Sequence, residues 1–232
     1  MKYLFYFFCA ALMAAFTGAA GQTKLLSLDA DLSTFMNSDY DYIENQKEFY
    51  AKTEGSQFLD EAFQSGSVSF NRKKYTGLQL RYNLYKSYFE FQTDQGIKFF
   101  DPRITPIDTV WMGKDTYFYA QYTKGKSLKR DYMKLMNQGP TLVLQLSEVI
   151  LIEPEPAKGY QDARPGRFKY RDNGIFILSG NQPATEFKGK KSLEEIFPTH
   201  HAALSDYAKK EKLSLKKIGE IVSLCAYYDT IR

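Results

Sequence analysis

One stretch of the sequence, residues 55–101, decides the fold: GSQFLDEAFQSGSVSFNRKKYTGLQLRYNLYKSYFEFQTDQGIKFFD. Its second half alternates apolar and polar residues, a pattern typical of half-buried β-strands. Side chains two residues apart in a strand point to the same face, so Leu78 shares a face with Leu80. In the following strand Phe89 shares a face with Phe91 for the same reason. The stretch therefore predicts an antiparallel meander that buries one side.

The register of this meander follows from the requirement that apolar residues meet across the sheet. A loop centred on residues 84–85 joins the first two strands. Residues 94–96, Asp-Gln-Gly, predict a three-residue hairpin loop with glycine in the left-handed conformation. The predicted cross-strand pairs are Leu80 with Phe89, Leu78 with Phe91, Phe91 with Phe99, and Thr93 with Ile97. Three antiparallel strands with one common apolar face are expected.

The opposite face of the meander is the candidate binding site. The predicted pairing places four aromatic and charged residues there: Arg81, Tyr88, Glu90 and Phe100, with Arg81 opposite Tyr88 and Glu90 opposite Phe100. Tyrosine and arginine are enriched where proteins bind partners. Two explanations stay open: another part of the chain covers this face, or the face is a binding surface.

Strand patterns continue beyond the meander. Residues 107–112 and 115–122 predict a hairpin with its turn at residues 113–114. Residues 141–152, TLVLQLSEVILI, are almost continuously apolar, which favours a well-buried central strand or a bent pair. A weaker strand at residues 127–136 and a hairpin formed by residues 174–179 and 184–188 complete the predicted β-rich part.

The periodicity changes to that of helices near the C-terminal end. Ser192 and Glu195 have the spacing of a capping box, and Thr199 and Ser214 are expected to cap two further helices. The last helix carries apolar residues at helical spacing. The predicted fold class is α+β: an antiparallel β-rich core, barrel-like or a sandwich, followed by two or three C-terminal helices.

The chain of 232 residues begins with a predicted export signal. An apolar run too short to cross a bilayer comfortably precedes small residues, so we place cleavage after Gly21 or one residue earlier. The predicted segments are a signal peptide (1–21), a poorly structured or partly helical lead-in (22–54), a β-rich core (55–190) and a helical segment packed on it (191–232). The mature protein is expected in the periplasm or outside the cell, without a transmembrane segment and with Cys225 as its lone cysteine.

The charge of the chain narrows the class of partner. Loss of Lys2 with the signal takes the formal net charge from +4 to +3. The lysine-rich runs at 188–191 and 209–212 have two explanations: solvated helix ends, which are favoured, or a surface for an anionic envelope partner. Such a mild charge on an exported protein disfavours nucleic acid. The expected partner is an unknown envelope protein or glycan.

Motifs for catalysis are scarce in this sequence. His200 and His201 are adjacent, so a helix would point them about 100° apart and they would not form one metal-binding pair. The sequence has no Gly-x-Ser-x-Gly elbow, no Walker loop and no dinucleotide fingerprint. No catalytic residue, metal or cofactor is indicated, and an enzymatic activity is not favoured.

A group of aromatic residues in the 107–122 hairpin offers a second candidate site. Trp111, Tyr117 and Tyr119 are of the type that stacks on sugars, although packing between strands would use them equally well. Strand alternation places Tyr117 and Tyr119 on one face and Tyr122 on the other.

Three phrases of the sequence resemble a widespread family of small exported proteins of Bacteroidota: GSQFLDEAFQSGSV, LQLRYNLYKSYFEF and KGKKSLEEIFPTH. The resemblance covers residues 55–232 and implies export and a single module. The family has no assigned activity, cofactor or catalytic residue, so the resemblance adds no site. The leading hypothesis is an exported, non-catalytic binding or scaffold module of the cell envelope. The alternative is an envelope hydrolase or a carbohydrate-binding accessory protein.

Overall fold

The computed structural model describes residues 53–94, 96–100, 102, 107–160 and 162–232. The predicted signal peptide and nearly all of the predicted lead-in lie outside the described residues. Ten strands follow one another along the described chain: β1 (Gln64–Phe70), β2 (Lys73–Asn83), β3 (Tyr88–Thr93), β4 (Gly96–Phe100), β5 (Thr109–Met112), β6 (Asp115–Lys124), β7 (Ser127–Leu135), β8 (Thr141–Ile152), β9 (Arg167–Ser179) and β10 (Ala184–Glu186).

The ten strands form one sheet in the order β10-β9-β8-β7-β6-β5-β1-β2-β3-β4. Every pairing between neighbours in this order is antiparallel. β10 also pairs in parallel with the end of β6, where Ala184 lies opposite Tyr122. This pairing closes the five strands from β6 to β10 into a ring. The other five strands extend from β6 as an open arm, in the order β5-β1-β2-β3-β4. The predicted α+β class with an antiparallel core is therefore confirmed.

Three short helices follow the sheet, as predicted: α1 (Leu193–Ile196), α2 (His201–Lys210) and α3 (Ile218–Ile231). The predicted caps are wrong in detail, because no side chain caps any of these helices. The Ser192 hydroxyl instead accepts a hydrogen bond from the Lys188 amide and donates one to the Gly189 carbonyl. Ser214 lies in the connection before α3 and donates to Glu220. None of the helices in the described ranges is long and apolar enough to cross a membrane.

Both faces of the sheet are buried over part of their area. One face carries the largest cluster, which includes Leu80, Phe89, Phe91 and Tyr117. The inside of the ring holds a second cluster around Phe176. The helices cover β8 and β9 with a third cluster, in which the side chains of α3 at the predicted helical spacing are buried: Ile221, Leu224 and Cys225. Neighbouring residues of β8 point to opposite faces and are buried in different clusters. Both faces of this strand are therefore buried, which explains why its sequence is almost continuously apolar.

The predicted meander is present, but both of its registers are wrong. β2 and β3 are shifted by two residues, so that Leu80 lies opposite Phe91. The cause is the turn at residues 84–87, which begins one residue later because the Asn83 side chain accepts a hydrogen bond from the Lys86 amide. A shift of two preserves the faces.

β3 and β4 are shifted by one residue, which exchanges the faces of β4. Thr93 lies opposite Gly96, so the connection contains two residues instead of the predicted three. The Thr93 hydroxyl donates to the Gly96 carbonyl, and Gly96 has a φ of +115° within the strand pair. This conformation suits glycine, and the residue therefore starts β4 instead of ending the loop. Phe91 lies opposite Lys98, and not opposite Phe99.

Candidate functional site

The predicted binding face of the meander is covered by residues 58–63 of the same chain. Arg81 pairs with Glu90, and the two side chains are only 14% and 5% exposed. The rings of Phe58 and Phe63 lie over the Arg81 guanidinium at 3.7 and 4.5 Å. The two cation–π contacts and the ion pair with Glu90 all fix the position of the Arg81 guanidinium. The first of the two explanations, cover by another part of the chain, is the one that these contacts support.

Phe100 does not belong to this face. It is 2% exposed in the largest core cluster and stacks on Phe91 with 4.5 Å between ring centroids. The one-residue register shift places Phe99 opposite Glu90 instead, and Phe99 stacks on Tyr88 at 4.7 Å. The structure thus brings together Arg81, Tyr88 and Glu90 of the four predicted residues, in an environment of mostly internal contacts.

A different site opens where β7 and β8 separate. These two strands pair only at Lys134–Gln145 and Leu135–Leu144. Beyond these pairs, β7 continues against β6 and β8 continues against β9, with an irregularity in β8 between Gln145 and Ser147. A gap between two strands that follow different partners leaves room for a ligand.

This gap is a cleft of about 260 Å³, which we term the tyrosine cleft. The residues that line it are Leu59, Asp60, Gln64, Tyr82, Leu84, Asp115, Tyr117, Tyr132, Lys134, Gln145, Ser147 and Tyr170. They come from the segment before β1, from β1 and β2, from the β2–β3 turn, and from β6, β7, β8 and β9. The cleft is therefore a product of the tertiary fold and not of one local motif.

Three buried tyrosines form one wall of the tyrosine cleft. The Tyr82 ring packs edge-on against Tyr117 at 5.5 Å and against Tyr132 at 6.3 Å. The hydroxyl of Tyr117 is buried and has no hydrogen-bond partner among the described residues. The hydroxyl of Tyr132 is also buried; the Ile107 amide lies close to it without the geometry of a hydrogen bond. A buried donor without a partner costs about 1–3 kcal/mol, so these hydroxyls are the polar groups that a ligand or ordered water would satisfy.

Burial controls the protonation of these phenols. It raises the pKa of Tyr117 above its usual range, and the nearby Asp115 carboxylate and Tyr170 raise it further. Tyr117 and both of these neighbours line the cleft. Burial also raises the pKa of Tyr132. Both phenols therefore stay protonated at neutral pH and can donate as well as accept a hydrogen bond.

The charged groups around the cleft already have partners. The Lys134 ammonium lies 2.8 Å from the Asp115 carboxylate. Asp60 accepts hydrogen bonds from the Ala62 amide at 3.0 Å and from the Gln64 side chain at 3.2 Å. The cleft wall is thus polar, with no unpaired cation among its described residues.

A second polar network fixes the far rim of the cleft. The Tyr170 hydroxyl lies 2.8 Å from both the Ser147 hydroxyl and the Asp172 carboxylate. Asp172 also accepts a hydrogen bond of 3.1 Å from the Gln145 side chain. Tyr170 as a whole remains 49% exposed, so it is accessible at the rim.

The aromatic residues predicted as a sugar site in the β5–β6 hairpin are divided between two faces of the sheet. Tyr117 lines the cleft and Tyr119 packs on Tyr132 at 4.9 Å, both in the largest cluster, whereas Tyr122 lies inside the ring as predicted. Trp111 does not share a face with Tyr117 and Tyr119. It lies opposite Thr116 on the other face of the sheet. There the Lys74 ammonium lies 4.0 Å from the centre of its ring.

The two histidines each make contacts at the start of α2. His200 packs edge-on against Tyr228 at 5.5 Å, and the His201 Nδ1 donates to the Pro198 carbonyl at 2.9 Å. Neither histidine lines the tyrosine cleft. Within the ranges that the structure covers, no group of three or more metal-ligating side chains is placed to hold an ion.

Comparison with known proteins yields no match: neither a family model, nor a curated protein, nor a solved structure is similar to this chain. The resemblance to exported proteins of Bacteroidota stays a prediction.

Proposed function

We propose that this protein is an exported, non-catalytic binding module that holds a small polar ligand in the tyrosine cleft. The observation that carries this proposal concerns Tyr117, which lines the cleft: its hydroxyl is buried and has no hydrogen-bond partner in the part of the chain that the structure describes. Native proteins pair nearly all buried polar atoms, and exceptions point to an unseen water or ligand, or to a functional role. Export remains an expectation from residues 1–21.

The contacts of the cleft favour binding over catalysis. Its carboxylates, Asp60 and Asp115, are engaged by an amide pair and by Lys134. Ser147 lies beside Tyr170 and has no histidine in the cleft to activate it. A hydrolase would need a nucleophile or water placed next to a base, so the alternative of an envelope hydrolase has less support than that of a binding protein.

The Arg81 face supports a scaffold role less well than the cleft supports a ligand site. Its ion pair is nearly buried, and its aromatic neighbours are packed on each other or on the guanidinium. A partner docking there would have to displace residues 58–63, which make cation–π contacts with Arg81 and accept its hydrogen bond at the Glu61 carbonyl.

The test is a thermal-shift screen with four compound classes: monosaccharides, amino acids, nucleosides and small carboxylic acids. A compound that binds only the native state raises the melting temperature, because it stabilises that state by RT ln(1 + c/Kd), where c is the free concentration of the compound. Ser147→Phe, which places a ring in the cleft, is expected to abolish the shift. The matched control Ser69→Phe changes a half-buried β1 serine on the other face of the sheet and is expected to retain it. A hit that survives Ser147→Phe, or a screen without hits, would contradict the proposal.

A further inference from the structure

We infer that the ligand of the tyrosine cleft is an uncharged, hydroxylated ring of monosaccharide size. This inference rests on the proposed function and adds the chemical class of the ligand. Three independent properties of the cleft carry it: its volume, the state of its charges, and the groups that remain open for hydrogen bonding.

The volume limits the size of the ligand. The cleft measures about 260 Å³, which is below the roughly 300–1,000 Å³ typical of pockets for drug-sized ligands. A single six-membered ring with its substituents suits such a space, whereas an oligomer or a nucleotide would extend beyond it. An oligosaccharide would therefore present one terminal ring.

The charged side chains that line the cleft disfavour an anionic ligand, and they offer a cationic ligand no carboxylate that is free of other contacts. Lys134, the one lysine that lines the cleft, is paired with Asp115 at 2.8 Å. Asp60, the other carboxylate besides Asp115 that lines the cleft, receives two hydrogen bonds from the protein. An anionic ligand would face net negative charge, and a cationic one would have to compete with these existing contacts, at a cost in desolvation.

The open groups are suited to hydroxyls. A phenol donates one hydrogen bond and accepts others, as a sugar hydroxyl does, so the two can pair in either direction. Tyr117 supplies such a group at the buried end of the cleft. At the rim, the exposed ring of Tyr170 supplies an apolar face against which the C–H side of a sugar ring can pack. Gln145 and Ser147 also line the cleft, but their side chains already hydrogen-bond to Asp172 and Tyr170, so they make the rim polar without adding open donors.

The experiment compares binding of neutral and charged sugars by isothermal titration calorimetry. Glucose, galactose and N-acetylglucosamine are the neutral probes; glucosamine and glucuronate are their cationic and anionic counterparts. We expect at least one neutral probe to bind, and more tightly than either charged probe. Tyr117→Phe keeps the ring and removes the unpartnered hydroxyl, so it is expected to fold and to weaken binding about tenfold, the equivalent of one hydrogen bond.

Tyr122→Phe is the matched control, because Tyr122 lies on the same strand but inside the ring. It is expected to bind as the native protein does. Tighter binding of a charged probe, or equal binding by Tyr117→Phe, would overturn the inference. If no sugar binds while another compound class gives a shift that Ser147→Phe abolishes, the ligand class is wrong and the proposed function stands. If neither experiment finds a ligand, both fail.

Discussion

Asp131 carries a carboxyl group whose pKa is raised, so it is expected to make the folded protein less stable as the pH rises. Its carboxylate accepts a hydrogen bond of 2.9 Å from the Tyr132 amide and lies beside the Ser87 hydroxyl. The pKa of Asp131 is raised from 3.8 to about 6. Burial is the largest cause and Glu148 adds to it, while Ser87, the Tyr132 amide and Lys129 act in the opposite direction. The folded protein therefore holds this proton more tightly than the unfolded chain does.

The sign and size of the effect follow from this shift. A raised carboxyl pKa means that the folded state loses stability as the pH rises from about 4 to about 6. A shift of about two pKa units corresponds to about 3 kcal/mol of unfolding free energy. Asp131→Asn keeps the acceptor oxygen and carries no charge. The variant is expected to match the native protein at pH 4 and to be more stable by up to about 3 kcal/mol at pH 7.

The assay is urea unfolding of both proteins at intervals between pH 4 and pH 8. The difference between the two unfolding free energies cancels the titration of all other groups. Asp206→Asn is a suitable control, since Asp206 is an exposed residue of α2 paired with Lys209, and its difference is expected to stay near zero. A difference between Asp131→Asn and the native protein that does not change with pH would refute the reasoning, as would a variant that is less stable at pH 7.

Two further predictions concern the open arm of the sheet. A Cβ on Gly66 would overlap the Trp111 carbonyl oxygen of β5, so Gly66→Ala is expected to lower the free energy of unfolding in urea by about 1–3 kcal/mol or more. Gly219→Ala is the control, because a Cβ there meets open space, and it should be neutral or stabilising. Equal effects of the two substitutions would contradict the prediction. Glu90→Ala leaves the Arg81 charge buried and is expected to cost about 3–5 kcal/mol. The double variant with Arg81→Met should recover much of this loss, and no recovery would show that the pair is not the source of the cost.

Strand alternation carried much of the sequence-based prediction. It assigned Leu80, Phe89 and Phe91 to the buried face, and it separated Tyr117 from Tyr122. It assigned Phe99 and Phe100 to the wrong faces, because their faces depend on one residue in the loop before β4. Glycine permits a left-handed conformation either in the loop or at the start of the strand, and the sequence does not distinguish these positions.

The tyrosine cleft was accessible to sequence reasoning only through Tyr117. Its other members, such as Tyr132 and Tyr170, are separated by long stretches of chain and are brought together by the separation of β7 from β8. No local pattern encodes that separation. The sequence also did not predict that residues 58–63 cover the Arg81 face. Phe58 and Phe63 reach Arg81 through contacts between segments distant in the chain, which no local pattern encodes.

The parallel pairing of β10 with β6 has a kinetic consequence. The hairpins β6–β7 and β8–β9 join strands adjacent in the chain, so each can form early at a small loss of loop entropy. β10 has three residues and meets β6 at Ala184 and Thr185, about sixty residues after its partners in the chain. The ring is therefore expected to close last, as a late step that locks a nearly assembled sheet. On a ribosome, that step would wait until residues 184–186, about four-fifths of the way along the chain, had emerged.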